Sequence, residues 1–409
     1  MPASPPVYQE ICQRIRALTE RRAMPDASLE RLALLATGLI LAGSCVLRRI
    51  AAALDVQGLT AASTPESVER RLRRTLNDPH LTVSGYEAAL RATIDWGSVR
   101  RGGRIVLALD DSSQDDRLHL LRVVLASWGG SLPLAWALWP QNVAQPEGHY
   151  WAQLDGVLDR VAGLLPPGRP VVLTGDRAFD VPPFVDRVQA RGWHWAVRLK
   201  ANGTLRFRDA AGREHALSDL LRRHLPGPGR RWKTRGQVFK KAGWRSASVV
   251  AVWAPGQAEP LVVLTDLPPR WDALRLYGCR FWIESGFRND KTAGWQWEAS
   301  QVTDPAHQHR LVLGMAWATL LTLCLGLQEA QTRLDSLADP LPPGRRPPKP
   351  QPPRDSLFHL GLQVARRLLC RAASCVLRWR LTDLDAPSWY AHYAAAQAYR
   401  YIFAQPVRP

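Results

Sequence analysis

Residues 277–291 read YGCRFWIESGFRNDK, a stretch in which polar and apolar side chains separate if the segment is helical. At about 100° per residue, Tyr277, Arg280, Glu284 and Lys291 fall within an arc of about 60°. The apolar residues between them leave this stripe and can anchor the helix in a core. The pattern therefore predicts a helix that holds a carboxylate between cations. An ordinary ion-pair ladder on a surface helix is the alternative interpretation.

Two stretches upstream share a different pattern, an apolar run that stops at an aspartate. GGRIVLALDDSS, residues 102–113, ends in Asp110 and Asp111, and PVVLTGDRAFD, residues 170–180, passes through Asp176. A buried strand that ends in carboxylates places them at the exposed end of a sheet, where a cation and a phosphate can enter. An Asp-rich turn after a buried strand would produce the same pattern without a site.

Together these motifs resemble a known family. The spacing Tyr-x2-Arg-x3-Glu-x6-Lys resembles the Tyr-Arg-Glu-Lys signature of a large group of bacterial insertion-sequence transposases, the DDE enzymes with a ribonuclease-H-like catalytic core. The L-A-L-D-x-S and D-R-x-F contexts resemble the first and second aspartate motifs of that family, with Ser112 where Thr is usual. The resemblance implies that Asp110, Asp176 and Glu284 are the catalytic metal ligands. Asp111 remains the competing assignment for the first carboxylate.

The resemblance also implies an activity, a cofactor and a partner. Tyr277, Arg280 and Lys291 would contact double-stranded DNA at the terminal inverted repeats of the element. Three carboxylates without histidine or thiolate select hard cations, so two Mg²⁺ or Mn²⁺ ions are expected. The expected reaction is cleavage of the element ends and joining of their 3′-hydroxyls to target DNA by a homodimer. A catalytically silent DNA-binding descendant and a metal-dependent nuclease without joining activity are the alternatives.

Composition agrees with a polyanionic partner. The 409 residues carry 54 Lys+Arg against 36 Asp+Glu, a formal charge of +18, which favours nucleic acid but does not distinguish DNA from RNA or an acidic membrane. The six cysteines form no CxxC pair, and the N-terminus lacks the apolar core of a secretion signal. We therefore expect reduced thiols and a bacterial cytoplasmic protein at the nucleoid. The uncharged run 311–327 is interpreted as a buried core helix rather than a membrane span.

The pattern of apolar residues and turn residues along the chain predicts an α/β (α+β) protein. We expect a ribonuclease-H-like mixed sheet flanked by helices. Residues 1–97 are predicted to be a helical DNA-binding region, in which a basic helix after Ser63 and Thr64 crowds four arginines on one side; a solvated basic face is the alternative. The remaining predicted divisions are the catalytic core at 98–200 and 269–330, a β-rich insertion at 201–268, a proline-rich linker at 339–354 and a helical region at 355–409.

The insertion interleaves cations with aromatic residues, a composition that suits phosphate contacts and base stacking. A solvated hairpin with a few core aromatics is the alternative. The remaining candidate DNA-binding residues are Arg177, Lys200, Arg231, Trp232, Lys233, Arg235, Lys240 and Trp244.

Overall fold

A computed structural model describes most of the chain. The described ranges are 6–19, 24–60, 64–99, 103–127, 130–200, 203–338, 356–371 and 377–382. The predicted linker at 339–354 and most of the predicted C-terminal region therefore lie outside the described residues.

The N-terminal part is helical, as its apolar periodicity predicts. The helices are α1 (Pro6–Leu18), α2 (Asp26–Ala42), α3 (Leu47–Val56), α4 (Pro65–Leu76) and α5 (Val83–Thr93). Thr64 caps α4 by accepting a hydrogen bond from the Ser67 amide, and Pro65 fills the first helical position, where its missing N–H costs nothing. The four arginines of α4 are exposed.

One mixed sheet of ten strands forms the centre of the protein, in the order β3-β2-β1-β4-β5-β10-β9-β8-β6-β7. β1 pairs antiparallel with β2 and β2 with β3, whereas β1, β4 and β5 run parallel. This is the ribonuclease-H arrangement that the strand and helix order predicts, and the α/β fold class is confirmed. The bounds are β1 (Ile105–Gln114), β2 (Leu118–Ser127), β3 (Gly130–Pro140), β4 (Val171–Gly175), β5 (His194–Leu199), β6 (Arg206–Arg208), β7 (Glu214–Ala216), β8 (Arg231–Val238), β9 (Arg245–Val252) and β10 (Leu261–Thr265).

The strands of the predicted insertion do not form a sheet of their own. β10 pairs antiparallel with β5, and β9 and β8 continue outward from it. Every residue of β10 is buried, because this strand lies between two others inside the sheet. Residues 201–268 are β-rich, as predicted, but they extend the sheet of the predicted core.

Helices cover both faces of the sheet. α10 packs on β1, β2 and β3, and α6 packs on β2 and β3 from the opposite face. The bounds are α6 (His149–Leu164), α7 (Pro182–Ala190), α8 (Leu217–His224), α9 (Asp272–Gly278), α10 (Phe281–Arg288), α11 (Pro305–Ala338) and α12 (Leu357–Cys370). Short 3₁₀ turns occupy 177–179, 240–242 and 297–299, and a π-helical turn occupies 289–293.

α11 contains the uncharged run that the sequence places in the core. Among the described residues it is the single helix long and apolar enough to cross a membrane, and 94% of the relevant window is buried inside the protein. α12 packs against it at very close range, because Gly361 approaches the Thr322 carbonyl where a Cβ would clash. Trp295 and Trp297 are fully buried, so they are core residues.

Five of the six cysteines lie in the described part of the chain, and none of these is in a disulfide. Three of them are buried and one is half-buried, whereas Cys370 is exposed. Their positions agree with the expectation that most of the thiols are buried.

Candidate active site

Two parallel strands deliver the candidate aspartates to one end of the sheet. Ala108 of β1 is in register with Thr174 of β4, so Asp110 and Asp176 each follow by two residues. The side chain of Asp176 caps the turn at 177–179, and its Oδ1 accepts a hydrogen bond of 2.8 Å from the Ala178 amide. The two carboxylates are close enough for Asp176 to raise the pKa of Asp110.

Arg280 joins the first aspartate to the glutamate. α9 ends at Gly278 and α10 begins at Phe281, and Arg280 lies at the junction between the two helices. Its Nη2 is 2.8 Å from Oδ2 of Asp110, and its Nη1 donates to Oε1 of Glu284. The Arg280 side chain is 9% exposed, against 14% for Asp110 and 47% for Glu284. A buried guanidinium therefore bridges a nearly buried carboxylate and an exposed one.

Burial dominates the electrostatics of this pair. It raises the pKa of Asp110 to about 6, with Arg280 acting in the opposite direction and Asp176 adding to the rise. Burial also disfavours the charged form of Arg280, but Asp110, Tyr277 and Glu284 outweigh it and leave the pKa of Arg280 above its usual value. The positive charge of the guanidinium thus favours the ionised forms of Asp110 and Glu284, which burial of Asp110 opposes.

Of the remaining two residues of the predicted stripe, Tyr277 is buried next to Arg280, whereas Lys291 pairs with a residue outside the site. Tyr277 is fully buried, its hydroxyl has no hydrogen-bond partner among the described atoms, and burial raises its pKa to about 12. Lys291 lies in the π-helical turn, with its Nζ 3.5 Å from Oε1 of Glu298. The prediction of one continuous helix with four aligned side chains is wrong, because the helix breaks at 279–280 and the π turn changes the periodicity. In this conformation neither Tyr277 nor Arg280 offers an exposed surface to DNA.

Asp111 points to the other side of β1. Its Oδ2 accepts a hydrogen bond of 2.8 Å from the Tyr150 hydroxyl, and its Oδ1 is 3.1 Å from Nε2 of His119. Successive side chains alternate across a strand, so Asp110 faces Arg280 while Asp111 faces α6. The geometry favours Asp110 over Asp111 as the carboxylate that shares a site with Asp176 and Glu284.

The three candidate carboxylates suit a divalent cation in chemistry but do not form a ready-made cluster. Among the described residues, no three His, Cys, Asp or Glu side chains converge at the spacing of metal ligands. Instead, Arg280 bridges two members of the set. The candidate ligands fit Mg²⁺ or Mn²⁺, since all of them are carboxylate oxygens. Two of these carboxylates already lie against a positive charge, that of Arg280.

Several of the predicted DNA-binding side chains already have protein partners. Arg177 is paired with Glu259, and Lys240 is 2.6 Å from Glu214. Trp232 stacks on His224 at 4.8 Å, and the guanidinium of Arg208 covers Trp244 at 4.1 Å. The faces that these two aromatic rings would offer to a base are therefore partly occupied. Lys200 is exposed at the end of β5.

The cations of β8 are exposed, although Arg231 and Lys233 also lie 5.8 and 5.2 Å from the centre of the Trp271 ring. Arg231, Lys233 and Arg235, here called the β8 row, alternate along the strand and are exposed. Residues in register point to the same side of a sheet. The register runs from Arg235 through Ser248, Thr265, Ala196 and Thr174 to Ala108, two residues before Asp110. The β8 row therefore lies on the same face of the sheet as the candidate site.

A buried ion pair behind the site was missed from the sequence. Arg122 of β2 pairs with Asp290 of the π-helical turn, and the two side chains are 3% and 6% exposed. Arg122 is in register with Asp110, so the pair anchors the end of α10 on the strand next to that residue. The available signal was the single charge within the apolar run LLRVVL of β2.

One segment of the chain matches a known protein family. Residues 130–321 match the family model described as the transposase DDE domain. This segment of the chain is therefore similar to a transposase DDE domain. The matched segment is somewhat less than half of the chain and includes Asp176 and Glu284, whereas Asp110 lies before it. Comparison with curated protein sequences finds no significant match.

The solved structures that resemble the chain include a piggyBac transposase synaptic complex with hairpin DNA, determined by cryo-EM. The identity is 11% and the TM-score is 0.41, with 98% of this chain and 82% of the other covered.

Proposed function

We propose that this protein is a bacterial insertion-sequence transposase of the Tyr-Arg-Glu-Lys group. It would bind double-stranded DNA at the ends of its element as a homodimer, cleave them, and join the 3′-hydroxyls to target DNA. The observation that carries the proposal is that Arg280 bridges Asp110 and Glu284 at the end of β4, where Asp176 lies close enough to raise the pKa of Asp110. The match of residues 130–321 to a transposase DDE domain supports it.

In this proposal Asp110, Asp176 and Glu284 hold the divalent cations. Two such ions, when bound, activate the attacking oxygen and stabilise the leaving oxygen of the phosphate. The contribution of the protein is to bring carboxylates from β1, the end of β4 and α10 to one place. The Glu284 side chain is the most exposed of the three at 47%. It can therefore exchange Arg280 for a cation with the least loss of packing.

Arg280 has a role that the sequence does not suggest. Without DNA it neutralises Asp110 and Glu284, and its planar guanidinium carries enough donors to bind an anion through the same edge. If the carboxylates held divalent cations, Arg280 would be free to bind a backbone phosphate. This would reconcile its burial in the described structure with the DNA contact that the family resemblance implies.

The face of the sheet that carries the site would also bind the DNA. The β8 row extends that face with three exposed cations, and the formal charge of the chain is +18. Contacts of Lys and Arg with phosphate position a duplex without reading its sequence. We therefore propose that the β8 row holds the DNA on the side of Asp110.

The function is tested with the full chain and duplexes that carry the inverted repeats flanking its gene. We expect the wild type to cut these ends in Mg²⁺ or Mn²⁺ and to join pre-cut ends to a plasmid. Glu284→Gln should bind the ends with near wild-type affinity but not cut them, because the amide keeps the shape and removes the charge. Glu30→Gln is the matched control, since Glu30 is a surface glutamate of α2 with a 55% exposed side chain.

The alternative functions predict different outcomes. Cutting without joining of pre-cut ends would indicate a nuclease. Binding without cutting by the wild type would indicate a catalytically silent descendant. Cutting by Glu284→Gln at the wild-type rate would remove this residue from the proposed site.

A further inference from the structure

The structure joins Asp111, Tyr150 and His119 into one cluster on the face of β1 opposite Arg280. Oδ2 of Asp111 accepts a hydrogen bond of 2.8 Å from the Tyr150 hydroxyl. Oδ1 of Asp111 lies 3.1 Å from Nε2 of His119. Three elements meet there, since Asp111 belongs to β1, His119 to β2 and Tyr150 to α6. Both oxygens of Asp111 are therefore engaged by the protein.

Aromatic packing supports the two partners of Asp111. The His119 ring stacks on Trp139 of β3 with centroids 4.2 Å apart, and Tyr150 meets the same indole edge-on at 6.1 Å. Trp139 is nearly buried at 8% exposure. Since the partners are held by packing as well as by hydrogen bonds, their positions are set by the core rather than by Asp111.

The backbone connects this cluster to the candidate site. The amide N–H of Asp111 donates a hydrogen bond of 3.0 Å to Oδ1 of Asp110. The carboxylate of Asp110 is thus oriented from two directions, by Arg280 on one oxygen and by the Asp111 amide on the other. Any rotation of the Asp111 backbone turns this amide and changes the direction of the Asp110 carboxylate.

We infer that Asp111 is a positioning residue, which Tyr150 and His119 clamp so that its amide orients Asp110 for the reaction. The inference rests on the proposed function and assigns a role to residues that the transposase motif does not include. It also gives the two adjacent aspartates of β1 different roles: one faces the site, and the other faces α6 and holds the first in place. Tyr150 acts through Asp111 and touches neither DNA nor the reacting phosphate.

The test compares Tyr150→Phe, Asp111→Ala and the double variant with the wild type. Tyr150→Phe should lower the cleavage rate at saturating DNA by between about tenfold and a hundredfold, because misdirection of a reacting group is costly. DNA affinity and melting temperature should stay close to those of the wild type, since Asp111 is partly exposed. The double variant should cleave no more slowly than Asp111→Ala alone, because Tyr150 acts through Asp111.

Thr332→Val is the control, since it removes an exposed hydroxyl of α11, outside both this cluster and the predicted DNA-binding region. Wild-type cleavage by Tyr150→Phe would overturn the inference. So would additive losses in the double variant, which would mean that Tyr150 acts independently of Asp111.

A second measurement separates this inference from the proposed function. Hydrogen exchange of the β1 segment, residues 105–114, should be faster around Asp111 in Tyr150→Phe than in the wild type or in Thr332→Val. If the wild type cuts no DNA but exchange still increases, the proposed function fails and the clamp stands. If exchange is unchanged, the clamp is wrong, whatever the activity.

Discussion

Replacement of Arg280 by alanine should destabilise the protein, because it leaves a buried carboxylate without its counter-charge. Asp110 is 14% exposed and Arg280 9%, so the pair is largely shielded from water. Removal of one member of a buried ion pair costs about 3–5 kcal/mol. The contact with Glu284 adds little, since that side chain is 47% exposed and such pairs contribute about 1 kcal/mol or less.

The loss should appear as a fall in melting temperature. At roughly 2–4 °C per kcal/mol, the value for large domains, we expect the melting temperature to fall by roughly 6–20 °C in differential scanning calorimetry. Arg223→Ala, an exposed arginine of α8, should melt within about 2 °C of the wild type, as surface substitutions usually do. Arg280→Lys should lie between the two, because a point charge cannot bridge both carboxylates.

A double variant decides whether the uncompensated charge is the cause. Asp110→Asn in the Arg280→Ala background removes that charge and should recover a large part of the lost melting temperature. Mn²⁺ should stabilise Arg280→Ala more than the wild type, since a cation can replace the missing guanidinium charge. A melting temperature of Arg280→Ala equal to that of the wild type would refute this reasoning. It would also mean that Arg280 does not neutralise Asp110 in solution.

Two further predictions concern the DNA-binding face and the helix packing. Replacement of all three cations of the β8 row by alanine should reduce the slope of log affinity against log salt by about 3, as measured by fluorescence anisotropy with duplex DNA. Arg223→Ala should leave that slope nearly unchanged, because α8 packs beside Trp232 on the opposite face, and an equal effect of both would exclude the β8 row. Gly361→Ala should cost about 1–3 kcal/mol in urea unfolding, because its Cβ would lie 1.8 Å from the Thr322 carbonyl oxygen. Gly156→Ala in α6, which meets nothing within 4 Å, should be neutral or stabilising, and equal losses would contradict the packing argument.

Local patterns in the sequence were sufficient for the elements that carry the aspartates. An apolar run that stops at a charged residue is visible without any partner, and β4 ends directly before Asp176 as its sequence predicts. β1 instead continues past Asp110 and Asp111 to Gln114, because these residues pair with β2. The helix start at Thr64 follows equally from local chemistry, because a threonine side chain satisfies an amide of the first turn. The distinction between Asp110 and Asp111 did not follow, since alternation assigns them to opposite faces without saying which face carries the site.

The glutamate segment shows the limit of periodicity. An ideal helix would align the side chains of Tyr277, Arg280, Glu284 and Lys291. In the structure the α-helix is interrupted at 279–280, and a π-helical turn forms at 289–293. The burial of Tyr277 and the pairing of Arg280 with Asp110 depend on residues about 170 positions away, a contact that no local pattern encodes. A buried charge needs a partner, because desolvation of an unpaired charge is costly. Which residue becomes that partner depends on the tertiary structure.

What the sequence predicted by itself was therefore most of the strands and helices, together with a carboxylate site for hard cations, since both predictions depend on the order of neighbouring residues. The tertiary structure alone decided that β8, β9 and β10 continue the central sheet, because edge pairing depends on which backbone groups remain free on β5. It also decided that the β8 row shares a face with Asp110, through a register that crosses five strand pairs. Arg280 became the centre of the site for the same reason, since only the packed sheet and helices bring its guanidinium to both carboxylates.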